Sequence, residues 1–412
     1  MIQINPNTMY FLKLIKQYLA SGGRDCTVPD FAADAGFEEI LRIAMYNNCD
    51  PFIYHTISKW CTEYGVEKVT IESYRNRILF SAVSQIRADT ELKEVLSELN
   101  SFGVSYLLLK GIILSNLYPD PAYRRAIDVD IHVSDDYADR AAEVFLARGY
   151  EYIQNDSIKY EKTYRLSGIL TIELHTRLFE NFYEKNQAAI AAVGLEALSS
   201  RREVRVFDMI AGTLSLNHFL IYVICHHTKH FIASGINLRH LLDICVYINE
   251  YYEQLNWDFI ISALSRFGIK DFALHLLYIC QHYLNIVDLS FLYHDIEEDV
   301  VEMLLYDIVE RNAYNDGVIE RASSHDIVHD VYFNGEKNFL NLFRSNYLPS
   351  RKQLKKKYMY AKKYPVLLPV AWVHRALSYL FRKVKGQQVV SPAERAMLAK
   401  ERVELLKRVQ IL

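Results

Sequence analysis

Two aspartates two positions apart, Asp128 and Asp130, stand in the run AIDVDIHV at residues 126–133, with His132 next in step. As a strand, this run puts Ile127, Val129, Ile131 and Val133 on one side and the two aspartates with His132 on the other, about 7 Å apart from one to the next. Carboxylates that close repel unless a cation or a proton lies between them. A second run, ILTIELHTRL at residues 169–178, has the same texture, with Glu173 and His175 on one side and Ile172 and Leu174 on the other. If the two strands share a sheet, Glu173 is a third carboxylate beside the pair. Three carboxylates around one or two divalent ions suit phosphoryl or nucleotidyl transfer, where the ions hold a triphosphate, activate a hydroxyl and stabilise departing pyrophosphate. Hard oxygen donors favour Mg²⁺ or Mn²⁺. Asp128, Asp130 and Glu173 are therefore both the candidate metal ligands and the candidate catalytic residues.

The elements that must position these residues are legible from periodicity. Residues 8–100 read as four helices, the last a long amphipathic one ending near Gly103. VSYLLLKG then reads as a short apolar strand that stops at Lys110-Gly111, where a helical stretch, GIILSNLY, begins. A helix start offers unpaired N–H groups to an anion, and Lys110 and Arg124 add positive charge nearby. PDPAYRR is a proline-broken loop, and DDYADRAAEVFLARGYE is a helix that Ser134 or Asp135 can cap. YEYIQ, KYEKTYRLSG and ILTIELHTRL read as strands, the last two joined by a hairpin at Ser167-Gly168. From about residue 212 the pattern is helical again, while residues 288–350 show little periodicity.

Composition sets the broad class. The chain has 412 residues, enough for two or three domains, and a net charge of −3, which argues against a nucleic-acid partner. Six cysteines without a CxxC pair read as reduced, mostly buried thiols in a cytoplasmic protein. The N-terminus has no signal-peptide pattern and no apolar run is long enough to span a bilayer. Charge is uneven: residues 351–412 hold sixteen Lys or Arg against three Glu, a balance of +13 that leaves −16 on the remainder. Such a tail is either a solvated helical face or a site for an anionic partner. Within it, PVLLPVAWVHRALSYLFRKVK has an apolar body and a basic end, favouring a buried core helix over an interfacial membrane helix.

His226, His227 and His230 lie together on one helical stretch, but no Glu stands in the position that an HExxH zinc motif needs. Packing of this helix on the cleft, with His230 near substrate, is a stronger candidate than a zinc site. Arg239 and Asp243, four apart, suit an intrahelical ion pair.

The run LLLKGIILSNLYPDPAYRRAIDVDIHV resembles the uncharacterised nucleotidyltransferase family of the DNA-polymerase-β-like superfamily. The matching residues are Lys110-Gly111, Tyr118, Arg124, Asp128 and Asp130, then Glu173, Leu174 and His175 on the later strand. His227, His230, Leu238, Arg239 and Asp243 match its helical C-terminal part, and YLPSRKQLKKKY resembles a segment near its end. The resemblance covers roughly residues 36–380. It implies an α+β fold, a small mixed-sheet core flanked by helical regions, divided as 1–103 N-terminal helical, 104–210 nucleotidyltransferase core, 211–350 C-terminal helical and 351–412 basic helical tail. It implies transfer of a nucleoside monophosphate from an NTP to a hydroxyl on a small molecule, sugar or peptide. Lys110, Gly111 and Arg124 would hold the nucleotide, with Tyr118, His175, His230 and Arg239 around the substrate. Superfamily members commonly carry Gly-Ser or Gly-Gly where this chain has Lys-Gly, so Lys110 would act as a point charge in place of the hydroxyl. Two alternatives stay open: a nucleotide-binding protein without turnover, and a kinase using the same carboxylates.

Overall fold

The computed structural model describes residues 4–23, 36–64, 68–126, 128–154, 160–179, 186–233, 235–311, 348, 354, 356–384 and 392–411. Ile127 and most of YLPSRKQLKKKY lie outside these residues. The chain divides into two compact units, Met1–Lys229 with Ile236–Ala313, and His230–Gly235 with Tyr314–Leu412.

The first unit opens with four helices: α1 (Pro6–Ala20), α2 (Phe37–Tyr46), α3 (Asp50–Tyr64) and α4 (Lys68–Ser101). Asn5 starts α1 by accepting a hydrogen bond from the Asn7 amide, with Pro6 at the first helical position. Then come β1 (Tyr106–Leu108), α5 (Gly111–Ser115), β2 (Asp128–Val133), α6 (Asp135–Ala147), β3 (Glu151–Ile153), β4 (Glu161–Leu166), β5 (Leu170–His175), α7 (Gln187–Ser199), β6 (Arg202–Val206) and β7 (Met209–Thr213). Ser134 precedes α6, but its side chain makes no capping bond; Asp135 and Asp136 favour the helix start through charge instead.

The strands form one mixed sheet in the order β3-β4-β5-β2-β1-β7-β6. Strands β2 and β5 are parallel, as are β1 and β7; the other pairs are antiparallel. The α+β class and mixed sheet agree with the sequence expectation, but two strands were not expected. Strands β6 and β7 carry exposed or half-buried residues at alternate positions and only a short apolar run, so neither stands out by pattern. Strand β7 crosses the expected core limit at residue 210 and runs beside β1. Gly212 permits that approach, since a Cβ there would lie 3.2 Å from the Tyr106 carbonyl oxygen and 2.8 Å from Leu107 Cδ2.

On β2 the apolar residues Val129, Ile131 and Val133 are buried, and helices α4 and α6 pack with the sheet. The rest of this unit is helical: α8 (Leu216–Ala233, whose last turn belongs to the second unit), α9 (Leu238–Tyr251), α10 (Trp257–Arg266), α11 (Lys270–Leu284) and α12 (Glu298–Leu305).

The second unit contains α13 (Met359–Lys363), α14 (Leu368–Val384) and α15 (Pro392–Arg408). Ala371 of α14 is buried with Leu354, Tyr358 and Ala361, and His374 Nδ1 lies 3.1 Å from the Tyr360 hydroxyl. Elsewhere on α14, Val370, Val373, Leu377 and Phe381 are each more than half exposed, which corrects the expectation of a buried core helix. No helix among the described residues is long and apolar enough to cross a membrane.

Candidate active site

Register explains how the acidic face forms. Parallel pairing sets Asp128 opposite Thr171, Asp130 opposite Glu173 and His132 opposite His175. The hairpin then sets Glu161 of β4 opposite His175. One side of the sheet therefore carries Asp128, Asp130, Glu173, Glu161, His132 and His175.

The cation between the two aspartates is a side chain. Lys110 leaves the end of β1, and its Nζ lies 3.4 Å from Asp128 Oδ2 and 3.2 Å from Asp130 Oδ2. It also lies 2.6 Å from His226 Nε2. Burial alone would lower the Lys110 pKa, but Asp130, Asp128 and Glu173 outweigh it and raise it. A charged lysine donates, so His226 accepts at Nε2 and carries its proton on Nδ1. Gly111 follows at φ +31°, a backbone conformation that a side chain would strain. Helix α5 is only five residues long, so little dipole accumulates for phosphate at its start.

Asp130 is fully buried. Burial pushes its carboxyl up, but Lys110 and His175 overcome this and hold it well below the usual carboxylate range. His175 Nε2 lies 3.2 Å from Asp130 Oδ1 and 3.8 Å from Glu173 Oε2, while Nδ1 lies 4.0 Å from Glu161 Oε2. Burial disfavours the imidazolium, yet the hydrogen bond to Asp130 and the Glu173 carboxylate nearby raise its pKa to about 9. Burial raises the Glu173 pKa. It also lowers that of His132 to about 4.

Among the described residues, Asp130, Glu173 and His175 form the one group whose donor atoms could close on a metal ion, all within 4.8 Å of one another. The expected set was Asp128, Asp130 and Glu173; the structure groups His175 with the last two and places Asp128 beside Lys110. The group fits a hard divalent ion: Asp130 Oδ2 is buried, with a lysine in ion-pair reach but no well-directed hydrogen bond.

Arg124 and Tyr118 converge on Asp243. Arg124 Nε and Nη2 donate to its two oxygens at 3.0 and 2.7 Å, and the Tyr118 hydroxyl donates at 2.9 Å. All three are buried. Burial pushes the Asp243 carboxyl up, but Arg124 brings it down to about 2. Asp243 thus pairs with Arg124, where helical spacing pointed to Arg239; the long-range guanidinium offers two aligned donors and Arg239 instead donates to the Arg125 carbonyl at 3.2 Å. His230 belongs to the second unit.

Helix α8 covers the acidic face with residues one turn apart. His226 meets Lys110, and Lys229 Nζ lies 3.1 Å from Glu161 Oε2. A cleft opens on each side of His226. One, with about 300 Å³ of empty space, is lined by Lys110, Gly111, Arg124, Asp128, His227 and Arg239. The other, of about 350 Å³, is lined by Tyr160, His175, Arg177, Phe179, Tyr222 and Lys229. Sequence reasoning missed Glu161, His226 and Lys229 as parts of this site. Glu161 faces His175 because the hairpin loop takes three residues, 167–169; counting from the expected two-residue turn at Ser167-Gly168 sets Tyr160 there instead. No pattern announces that His226 faces Lys110.

The mixed sheet, with carboxylates on β2 and β5 and a lysine just beyond β1, makes this an α+β protein with an acidic sheet face. The sequence matches the model of the uncharacterised nucleotidyltransferase family over residues 33–285, more than half of the chain, and the chain belongs to that family. Among solved structures, an antigenic nucleotidyltransferase-like protein from Paracoccidioides brasiliensis is similar at 15% identity, covering 51% of this chain and 97% of that one, with a TM-score of 0.30. No curated protein matches the chain.

Proposed function

We propose that the chain transfers a nucleoside monophosphate from an NTP to a hydroxyl of a small molecule, sugar or peptide, using a divalent cation. The observation that carries this reading is the group of Asp130, Glu173 and His175, with Glu173 half-buried and the other two buried, joined through Lys110, 3.2 Å from Asp130, to a cleft that Lys110 lines with Arg124 and Arg239. Asp130 and Glu173, with Asp128 next to them, would hold Mg²⁺ or Mn²⁺; an imidazole in the set tilts the choice toward Mn²⁺. A bound ion supplies charge neutralisation on the triphosphate and eases loss of the acceptor proton.

The chain's own residues do the rest. Lys110 and the Gly111 amide would take phosphate oxygens, with Arg239 at the same cleft. Arg124, locked by Asp243, would act as a fixed positive wall. Glu173, whose raised pKa makes it a better proton acceptor than an ordinary carboxylate, would accept the hydroxyl proton. Tyr118 would act only through Asp243, holding Arg124 in place.

A second reading has its own support. Lys110 and the His175 imidazolium already neutralise the carboxylates, which suits a nucleotide-binding protein without turnover. Calorimetric titration with Mn²⁺ and a non-hydrolysable ATP analogue, on wild type, Asp130→Asn and Glu173→Gln, tests the site. Metal-dependent binding lost in both variants supports it, and binding unchanged in both rejects it. Pyrophosphate release from the four NTPs across an acceptor panel then separates transfer from binding alone.

A further inference from the structure

The clearest unexplained surface is on α14. Val370, Val373, Leu377 and Phe381, preceded by Val366, are each more than half exposed. Their spacing of four, three, four and four residues puts them on one side of the helix. Ala371 and His374 face the other way or its flank and are held by Tyr358, Tyr360 and Ala361. The outer side is therefore an apolar stripe about three turns long, secured from behind. Isolated exposed apolar residues are ordinary, but a contiguous row marks an interaction surface.

Charge decides what covers it. Residues 351–412 carry +13, and α14 itself has Arg375, Arg382 and Lys383 with no acidic residue. A second copy meeting this stripe would bring two strongly cationic segments together. An anionic lipid surface offers both an apolar layer for the stripe and negative charge for the flanking lysines and arginines. The helix has 17 residues with an arginine in its middle, so it suits lying in the interface rather than crossing. We infer that α14 docks the protein on anionic membranes, with Val370, Val373, Leu377 and Phe381 inserted among the lipid headgroups.

The test is co-sedimentation of the full chain with vesicles of phosphatidylcholine alone or with about 30% phosphatidylserine, a composition rich enough to give a negative surface potential. Partitioning at least tenfold stronger onto the anionic vesicles, weakened by salt, is expected. Val373→Asp/Leu377→Asp should lower it at least tenfold with an unchanged circular dichroism spectrum; the gentler Val373→Ser/Leu377→Ser pair serves if the first misfolds. Leu195→Asp, at an exposed apolar residue of α7, should change nothing. No binding, equal binding to both vesicle types, or full binding by the stripe variants would overturn the inference. So would a dimer by light scattering that the stripe variants split, since a second copy would then be the occupant.

Discussion

His226 Nε2 lies 2.6 Å from Lys110 Nζ, across 116 residues of sequence. The lysine that reconciles two aspartates is thus gripped from the helical side as well as from the sheet. Removing it should expose how much the acidic face depends on it. Lys110→Met leaves the buried Asp130 carboxylate short of a cation, and losing one partner of a buried pair costs about 3–5 kcal/mol. The expected result is a large drop in the urea midpoint of the metal-free protein, partly restored by Mn²⁺. A variant as stable as wild type in chelator would show that Lys110 does not neutralise the face.

The Arg124–Asp243–Tyr118 cluster gives a graded series. Tyr118→Phe removes one hydrogen bond to a charged group, about 1.5–3 kcal/mol. Asp243→Asn should cost more, because the Arg124 charge stays buried without its counter-charge. Arg124→Lys should not rescue the site, since an ammonium cannot reproduce the two-pronged fit. Thermal melts of the three variants check the order; Tyr118→Phe as damaging as Asp243→Asn would contradict it.

The pH dependence follows from two histidines of opposite sign. His175 has a folded pKa of about 9 against 6.5 unfolded. Its contribution is complete below pH 6.5 and disappears as the pH rises through 9. The size is on the order of 3 kcal/mol, from the shift alone. Glu173, also raised, acts in the same sense from the ordinary carboxylate range upward. His132 has a folded pKa of about 4 against 6.5 unfolded, so its contribution is present above pH 6.5 and lost as pH falls through 4. The metal-free protein should be most stable near pH 6.5. Urea midpoints across this range should show the alkaline decline flattened in His175→Asn and unchanged in His132→Asn.

Metal binding should feel the same proton. A cation at Asp130 and Glu173 competes with the His175 imidazolium, so Mn²⁺ affinity should rise up to tenfold per pH unit between about pH 7 and pH 9. Calorimetry in buffers of different ionisation enthalpy would count the released proton; an affinity flat with pH would remove His175 from the ligand set.

Outside the site, Gly212→Val should destabilise the chain by about 1–3 kcal/mol through overpacking between β7 and β1. Unchanged stability would mean that the two strands can part at little cost.

Much of the site was readable because strand alternation has a fixed period. Asp128, Asp130, Glu173 and His175 announce themselves as polar residues on otherwise apolar strands, whereas the β4–β5 register depends on a loop one residue longer than the Ser167-Gly168 turn suggests. Helix-to-sheet contacts carry no such rule. That His226 meets Lys110, or that Asp243 chooses Arg124 over a neighbour one turn away, depends on where whole helices lie in three dimensions. The outward stripe of α14 is a related case, since periodicity shows that a helix has an apolar side but not whether anything covers it. Strands β6 and β7 were missed because half-exposed segments of five residues resemble loops.

Strand β7 also bears on how the protein can be cut. It is the neighbour of β1, the strand that delivers Lys110, yet it lies about a hundred residues further along the chain. A fragment ending before Met209 would leave β1 as a bare sheet edge, a row of unpaired backbone donors and acceptors ready to recruit another chain. Because β1 cannot be flanked until β7 has been made, a ribosome must finish more than half of the polypeptide before this sheet can close.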